Sequence, residues 1–311
     1  MKVWRGWPEG EDGLRYAAIG TFDGVHRGHQ AILQQLLRGA REAGAKAWVV
    51  TFEPHPQAIL RGASPPLLTL VRERLYWLEE AGVEGTVILP FTPELAATPA
   101  EVFLQEELCR KGKLRRVYVG YNFTFGKGAA GNAAFLQKEG PRACGLEVTV
   151  VPPVVEGGEA VSSTRIRKLL LEGNLEEAER LLGRPFSLFA RVGRGDGRGK
   201  ELGFPTANLE VDAERALPPP GVYAGWAVVE GRSWPAAISV GARPMVPGDD
   251  PRRVEVYVVG WNGELYGQEI QVGFFARLRD QEAFPSWEVL KEAMVEDVNQ
   301  VLRVYQSRLL Q

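Results

Sequence analysis

Residues 20–29 read GTFDGVHRGH and lie between a short apolar run and a stretch in which leucine and isoleucine recur with helical spacing. We expect a strand, a glycine-rich turn and a helix that begins near His29. Unpaired backbone N–H groups and the helix dipole favour an anion at such a helix start. The turn therefore predicts a phosphate-binding site. It lacks the GxGxxG pattern, which argues against a dinucleotide-dependent dehydrogenase.

The chain up to residue 183 alternates β-rich runs with amphipathic helical stretches, a pattern typical of a parallel sheet flanked by helices. The predicted strands are 15–21, 45–52, 85–91, 115–121 and 146–151. Two helices are expected to begin with a capping box, at Thr98 with Glu101 and at Asn174 with Glu177. The second helix ends at Gly183 ahead of Pro185, and this stop is the predicted domain boundary.

After the boundary, five predicted strands follow with no helices between them, which indicates an antiparallel barrel. They are 186–192, 222–229, 234–240, 254–261 and 264–275. Asn262-Gly263 is expected to join the last two as a hairpin, and residues 286–311 form a helix that covers the barrel. The predicted fold class is α/β, with a Rossmann-like parallel-sheet domain at 1–183 and an antiparallel β-barrel with a C-terminal helix at 184–311.

Composition narrows the class of protein. The chain has 311 residues, of which 45% are hydrophobic and 24% charged, and a formal net charge of −2, the balance of a globular protein with two domains. No basic block stands out, which argues against a nucleic-acid partner. The apolar runs are shorter than the roughly 18 residues of a membrane span. Residues 1–13 lack the apolar centre of a secretory signal. We therefore expect a cytoplasmic protein without a membrane partner. Its oligomeric state, including a homo-oligomer, stays open.

The two cysteines, Cys109 and Cys144, belong to no CxxC or Cys/His cluster. We expect free thiols in a reducing compartment. A structural zinc site is not expected.

Two of the three histidines, His26 and His29, fall within the glycine-rich turn. There they can donate hydrogen bonds to phosphate oxygens and stabilise charge that develops at an attacked phosphorus. A lone histidine would be interpreted as an ordinary surface residue, but two in one turn favour a function. Asp23 is either a turn-forming residue or a contact to metal or phosphate.

Two further segments of the first domain carry candidate ligand contacts. Residues 162–167, SSTRIR, open the helix after the last strand; Ser163, Thr164 and Arg167 either cap the helix and face solvent or bind phosphate. Residues 120–128, GYNFTFGKG, follow a predicted strand and fit either a packed turn or a ligand loop.

These segments, with TFEPHP at 51–56, resemble the prokaryotic FMN adenylyltransferases of the nucleotidyltransferase superfamily. The resemblance implies that an FMN phosphate oxygen attacks the α-phosphorus of ATP to give FAD and pyrophosphate, with Mg²⁺ present. It implies catalytic roles for His26, His29 and Asn122. It also implies ATP or phosphate contacts at Gly20, Phe22, Asp23, Gly24, Gly28, Ser163, Thr164 and Arg167, and flavin contacts at Asn122, Phe123 and Phe125. No strong base is needed because the FMN phosphate is already anionic, so catalysis is expected to rest on positioning and charge stabilisation.

The second domain has its own glycine-rich segment. Residues 193–200, GRGDGRGK, hold more glycines than a flexible hairpin needs, which suggests a backbone that approaches phosphate. Residues 202–209, LGFPTANL, follow directly. Thr206 and Asn208 offer neutral oxygens suited to Mg²⁺, although PTAN alone would be interpreted as a turn.

The segment LGFPTANL closely resembles the riboflavin kinase signature, and the likeness spans residues 15–302 in the order of bifunctional riboflavin kinase/FAD synthetases. It implies riboflavin and ATP as substrates. Glu255, on the strand before the expected hairpin, is the candidate base for the riboflavin 5′-hydroxyl; a structural ion pair with Arg252 or Arg253 is the alternative. The implied ATP contacts are Gly195, Gly197, Gly199, Lys200, Pro205 and Thr206, and the implied metal ligands are Thr206 and Asn208.

Two departures from the kinase pattern affect flavin contacts. Tyr257 stands where many relatives have His, and residues 239–244, SVGARP, replace an Asn-led form. Two other functions stay open. A nucleotidyltransferase for a different phosphorylated acceptor would explain the first domain alone, and a non-catalytic flavin-binding barrel could follow an active FMN adenylyltransferase.

Overall fold

The structure is a computed structural model, and it describes residues 1–194, 203–242 and 250–310. By its internal contacts the chain divides into two compact units, Met1–Ser163 and Thr164–Gln311. The domain boundary predicted at residue 183 stays a prediction.

The first unit is built on a parallel sheet. Its strands are β1 (Lys2–Arg5), β2 (Arg15–Ile19), β3 (Lys46–Glu53), β4 (Gly85–Pro90), β5 (Arg116–Gly120), β6 (Thr124–Phe125), β7 (Gly131–Asn132), β8 (Glu147–Val151), β9 (Val155–Glu156) and β10 (Glu159–Ala160). Six of them form one sheet in the order β1-β4-β3-β2-β5-β8, with every neighbouring pair parallel. The sheet predicted from the sequence is confirmed. Only its edge strand β1 was not predicted; this strand is short, and three of its four residues are exposed.

Helices cover the two faces of this sheet. They are α1 (Arg27–Ala43), α2 (Pro56–Arg61), α3 (Val71–Glu80), α4 (Pro93–Ala96), α5 (Ala100–Val102), which continues as a π-helix over Phe103–Lys111, and α6 (Ala133–Cys144). Alternate residues of β3 enter the two cores: Val49 packs with Leu33 and Leu36 of α1, whereas Trp48 packs in the cluster that holds Leu108. Burial on both faces explains the nearly unbroken apolar run of this strand.

Of the two predicted helix caps, one is wrong and one is confirmed. The helix expected to be capped by Thr98 begins at Ala100 after Pro99, with no side-chain cap, because the Thr98 hydroxyl donates to the Glu94 carbonyl (2.9 Å) and so closes the preceding turn. The cap expected at Asn174 is confirmed, since its side chain accepts from the Glu177 N–H.

Cys109 and Cys144 are not free thiols but form a disulfide. Cys109 lies in the π-helix and Cys144 ends α6, and these helices pack together so that the two Cα atoms are 5.9 Å apart. The pairing depends on this approach of two helices across 35 residues of sequence, which spacing alone does not reveal.

The second unit begins with α7 (Ser163–Leu171) and α8 (Leu175–Leu182) and continues into a barrel. The barrel strands are β11 (Phe186–Gly193), β12 (Ala207–Glu210), β13 (Gly221–Val229), β14 (Arg232–Val240), β15 (Val254–Val258) and β16 (Glu269–Arg279). They close in the order β11-β12-β15-β14-β13-β16, and β16 also pairs with β11, which confirms the predicted barrel. The strand β12 was not predicted.

The hairpin expected at Asn262-Gly263 is wrong. In the barrel β15 pairs with β12 and β14, while β16 pairs with β11 and β13, so the segment between them is a connection across the barrel. Positive φ angles fall at Gly260 and Gly267 instead. Barrel closure overrides the local turn signal.

The helix α9 (Trp287–Leu309) packs on β13, β14 and β16, as predicted. Ser286 caps it by accepting from the Val289 N–H. On β16, Arg279 makes a two-pronged ion pair with Asp297 of the helix, at 2.9 and 2.8 Å, and Asp297 is only 5% exposed. This buried pair fixes the helix against the barrel.

Candidate active sites

The glycine-rich turn lies at the carboxyl ends of β2 and its neighbours in the first unit. The chain passes from β2 to β3 on one side, and later returns to β5 on the other side of β2. Ligands of open α/β sheets bind outside the carboxyl ends of strands where the strand order reverses in this way. The loops after β2 and β5, both singled out from the sequence, flank that position.

The backbone of the turn is held in an uncommon conformation. Phe22, Gly24 and Val25 have φ angles of 51°, 86° and 40°. Non-glycine residues adopt such angles at a cost of roughly 1–3 kcal/mol each, and they cluster at functional sites. Phe22 is fully buried, so packing of its ring helps to hold this conformation.

His26 and His29 meet at the start of α1. The helix begins at Arg27, slightly earlier than predicted, and His26 is its N-cap, with its Nδ1 accepting from the His29 N–H at 3.4 Å. The two imidazoles stack with centroids 3.7 Å apart, and Phe22 packs on His29 at 5.0 Å. The predicted pair is therefore brought together at the positive end of a seventeen-residue helix.

Gly28 and Gly20 keep this turn tight. A Cβ at Gly28 would approach His26 Cε1 to 3.1 Å and Nδ1 to 3.2 Å, and at Gly20 it would meet the Phe22 ring at 3.4 Å. A side chain at position 28 would therefore displace the His26 ring. The phosphate contact proposed for Gly20 and Gly28 is separate from this steric role.

Asp23 is a buried hydrogen-bond acceptor. Its side chain is fully buried, with Oδ2 accepting from the Leu68 N–H (3.2 Å) and Oδ1 from the Thr69 N–H (2.8 Å) and hydroxyl (3.2 Å). Its carbonyl accepts from the Ser163 hydroxyl at 2.9 Å. The carboxylate therefore joins the turn to Leu68 and Thr69, a contact that the sequence did not predict.

The segment 162–167 straddles the division between the units. Ser163 lies in the first unit, where it contacts the turn, whereas Thr164 and Arg167 lie in the second unit at the start of α7. Thr164 is exposed and Arg167 is half-buried, three residues further along the helix. The neighbouring Arg165 pairs with Glu177 at 3.1 Å.

The loop after β5 combines an exposed amide with a packed aromatic cluster. Asn122 is exposed in a turn closed by the Phe123 N–H and the Gly120 carbonyl (3.0 Å). Phe123 stacks on Phe125 at 5.6 Å. Phe125 is 9% exposed and also packs on the rings of Phe103 and Phe135. Asn122 and Phe123 are thus accessible, whereas Phe125 is buried and packs against Phe123.

In the second unit, Asn208 and Glu255 are directly opposite each other on β12 and β15. Val254 and Val256, on either side of Glu255, are fully buried, so Glu255 lies on the outer face of the barrel wall. Its side chain is 17% exposed. Thr206, two residues before Asn208, precedes β12 and is half-buried, and Pro205 is exposed.

Arg253 bridges the two predicted site residues. Its Nη1 donates to Asn208 Oδ1 and, at 3.2 Å, to Glu255 Oε1. Of the two ion-pair alternatives for Glu255, the structure selects Arg253; Arg252 instead donates to the carbonyls of Asp212 and Arg215. An ion pair does not exclude a catalytic role, because a carboxylate oxygen retains further acceptor positions.

Tyr257 and Ser239, at the two departures from the kinase pattern, each contact another side chain. Tyr257 packs edge-on against Phe204 at 5.4 Å. Ser239, opposite Glu255 on β14, accepts from Gln281 Nε2 at 2.9 Å. The predicted phosphate contacts Gly195, Gly197, Gly199 and Lys200 lie outside the described residues, as do Arg243 and Pro244.

Within the described ranges, there is no group of three or more His, Cys, Asp or Glu side chains that could hold a metal ion. The predicted Mg²⁺ ligands are of another kind, since Thr206 and Asn208 supply neutral oxygens beside one carboxylate. Magnesium typically takes few protein ligands and keeps substrate phosphates and water in its shell. The donors present fit that mode of binding.

Two family models match the chain, FAD synthetase over residues 10–165 and riboflavin kinase over residues 182–305. A bifunctional riboflavin kinase/FMN adenylyltransferase of Pseudomonas fluorescens is 37% identical over 282 residues, covering 91% of this chain and 90% of the relative. The proteins of that name from Escherichia coli K12 and Bacillus subtilis 168 are 37% and 30% identical, cover 90% and 93% of this chain, and are themselves covered over 89% and 92%.

A crystal structure described as a macrolide-efflux protein from Streptococcus pneumoniae is 30% identical, with a TM-score of 0.82 and coverage of 93% of this chain and 94% of that one. No helix in the described parts of this chain is long and apolar enough to cross a membrane. The two family models cover both halves of the chain, and the curated relatives match it nearly end to end. This chain belongs to the family of bifunctional riboflavin kinase/FMN adenylyltransferases.

Proposed function

We propose that this chain phosphorylates riboflavin to FMN in its barrel and adenylylates FMN to FAD in its parallel-sheet unit. The observation that carries the proposal is that two central residues of each reaction lie side by side within one unit. His26 and His29 stack at one helix start, and Asn208 and Glu255 face each other across two strands. The match of both family models favours two activities over an adenylyltransferase with a purely flavin-binding barrel.

In the adenylyl transfer, the turn binds the ATP phosphates. His26 and His29 donate hydrogen bonds to the α-phosphate as negative charge builds up on its oxygens, and the helix dipole of α1 adds to this stabilisation. The FMN phosphate oxygen attacks the α-phosphorus, the bond to the bridging oxygen breaks, and pyrophosphate leaves. Ser163, Thr164 and Arg167 are proposed phosphate contacts, as are Gly20, Phe22, Gly24 and Gly28 of the turn.

FMN is proposed to lie at the loop after β5. Asn122 is exposed and can orient the substrate, and the half-buried ring of Phe123 offers a surface on which the flavin can stack. Phe125 is packed on three other phenylalanines, which supports a role in holding Phe123 in place. Its direct contact with flavin stays a prediction.

In the kinase reaction, Glu255 accepts the proton of the riboflavin 5′-hydroxyl while the γ-phosphoryl group moves from ATP to that oxygen. Arg253 donates to the Glu255 carboxylate at 3.2 Å and so helps to fix the position of the base. Pro205, Thr206 and the glycine-rich segment with Gly195, Gly197, Gly199 and Lys200 are the proposed ATP contacts.

Magnesium is proposed to be held by Thr206 and Asn208 together with the ATP phosphates. When bound, it supplies positive charge that neutralises the phosphate oxygens. The Asn208 oxygen has two lone pairs, so it can bind the ion and still accept from Arg253. We also propose a cytoplasmic location and a domain boundary at residue 183.

The two transfers can be separated with labelled ATP. Purified protein is incubated with riboflavin, Mg²⁺ and ATP labelled at either the α- or the γ-phosphorus, and the flavins are separated by chromatography. We expect γ-label in FMN and FAD, and α-label in FAD only. Flavins that acquire neither label would contradict the proposal, and α-label that enters FAD only when FMN is supplied would indicate a barrel without kinase activity.

A further inference from the structure

Asp23 makes a buried contact with Leu68 and Thr69, which lie outside the motifs that predicted the active site. Thr69 is 2% exposed and bonds the turn twice: its hydroxyl donates to Asp23 Oδ1 (3.2 Å) and accepts from the Gly24 N–H (2.8 Å). The Thr69 and Leu68 N–H groups complete the contact with both carboxylate oxygens of Asp23. Unlike Glu255, Asp23 is fully buried, and both of its carboxylate oxygens accept hydrogen bonds from the chain, which favours a structural acceptor over a ligand of a solvated metal ion.

The contact reaches the histidines through a short backbone path. Gly24 and Val25 have positive φ angles and directly precede His26, the N-cap of α1. The Thr69 hydroxyl holds the Gly24 N–H, and so fixes the backbone that aims the His26 ring. Because displacement of a reacting group by about 1 Å can cost roughly 100-fold in rate, a hydrogen bond at this point bears on catalysis.

A second buried contact holds the other end of the same turn. Arg74 lies on α3, the helix that follows Thr69, and is 2% exposed. It donates to the Thr51 hydroxyl (2.8 Å) and the Phe52 carbonyl (3.1 Å). The Thr51 hydroxyl donates to the Thr21 carbonyl (3.0 Å). Burial lowers the pKa of Arg74, and the nearby Asp23 and Glu53 carboxylates oppose that shift.

We propose that Thr69 is a positioning residue for adenylyl transfer, which acts through Asp23 and Gly24 to hold His26 in place, and that Asp23 is part of this brace and not a metal or phosphate ligand. The inference rests on the proposed adenylyl transfer at the His26–His29 turn. It assigns a role in that reaction to Thr69.

The test compares Thr69→Val, which keeps the shape and removes the hydroxyl, with Thr69→Ser, which keeps the hydroxyl. FAD formation from FMN is measured at saturating ATP and FMN, and FMN formation from riboflavin serves as an internal control. We expect Thr69→Val to lower kcat for FAD formation about 10- to 100-fold, and Thr69→Ser to retain kcat within about threefold because both hydrogen bonds can re-form.

Two controls separate positioning from general destabilisation and from metal binding. Thr86→Val removes a hydroxyl from another buried threonine of the same unit, on β4, and should leave kcat within about threefold. Asp23→Asn should lower kcat without changing the Mg²⁺ concentration that gives half-maximal activity. A metal ligand at this position would raise that concentration about 10-fold or more.

The inference is overturned if Thr69→Val forms FAD at the rate of the unmodified chain, if Thr69→Ser is as slow as Thr69→Val, or if Asp23→Asn raises the Mg²⁺ requirement. If the unmodified chain forms no FAD from FMN, the proposed adenylyl transfer itself is wrong, and the assignment of Thr69 falls with it.

Discussion

Replacement of Glu255 by Gln is the sharpest perturbation of the kinase reaction. The Gln side chain keeps the shape and the Oε1 acceptor that Arg253 contacts at 3.2 Å, so the bridge to Asn208 can persist. What is lost is the group that accepts the riboflavin proton. The change therefore tests the chemistry of the carboxylate with little disturbance of β12 and β15.

The expected magnitude follows from this single lost function. A positioned general base contributes about 10²- to 10⁴-fold, or roughly 3–5 kcal/mol of barrier. Glu255 is 17% exposed, so water has only partial access to replace it as acceptor. We expect kcat for FMN formation to fall by at least about 100-fold, while conversion of FMN to FAD in the other unit is unchanged.

The assay follows riboflavin and FMN by chromatography after addition of ATP and Mg²⁺, with FMN to FAD conversion measured on the same preparation. Glu230→Gln is the matched control, because Glu230 is an exposed residue in the turn between β13 and β14 and the substitution removes the same charge. If Glu255→Gln keeps kcat within about threefold of the unmodified chain, well below the effect of a general base, Glu255 is not the base and its ion pair with Arg253 is structural.

Three further outcomes follow from the first unit. Replacement of both His26 and His29 by Ala should lower FAD formation at least about 100-fold and let FMN accumulate; undiminished FAD synthesis would contradict their role. Reduction of the Cys109–Cys144 disulfide, which closes 35 residues of sequence, should cost about 3–4 kcal/mol, and a denaturation midpoint of this unit that does not respond to reductant would contradict it. A hydrogen bond from Arg116 on β5 lowers the pKa of Glu147. The Glu147 carboxylate therefore stabilises the fold above the unfolded-state pKa of about 4.3. That stabilisation is lost as pH falls through the lower folded-state pKa. Glu147→Gln should therefore cost at most about 1 kcal/mol at pH 7, because the side chain is 40% exposed, and nothing in strong acid; an equal cost at both pH values would show that charge is not involved.

The elements that were predicted correctly are those whose signal is local. The strand-turn-helix of residues 15–43 combines an apolar run, glycines and a helical period in one continuous segment, so the histidine pair at its centre could be placed from sequence. The barrel strands have alternating burial, as in the buried Val254 and Val256 around Glu255, and their period is visible without the fold.

The predictions that failed depend on contacts between distant segments. Asn262-Gly263 has the composition of a hairpin, but closure of the barrel assigns β15 and β16 to different neighbours. The cysteines pair because two helices pack together. Leu68 contacts Asp23 although the two residues are 45 positions apart in the sequence. A single hydroxyl such as that of Thr69 carries no pattern that distinguishes it from other threonines.

Arg253 is an intermediate case. Its place two residues before Glu255 made it one of two candidate partners, and strand geometry decides between them. Residues two apart on a strand share a face, so Arg253 reaches Glu255, and the pairing of β12 with β15 brings Asn208 within reach of the same guanidinium. Register across strands, which the sequence does not encode locally, completes the site.

The central claim is that one chain carries riboflavin through FMN to FAD. The most direct measurement is a time course in which purified protein is incubated with riboflavin, ATP and Mg²⁺ and the three flavins are separated by chromatography. We expect FMN to rise first and then decline as FAD accumulates. If riboflavin stays unchanged while supplied FMN is converted to FAD, the barrel is not a kinase, and if neither flavin reacts, the assignment of both reactions is wrong.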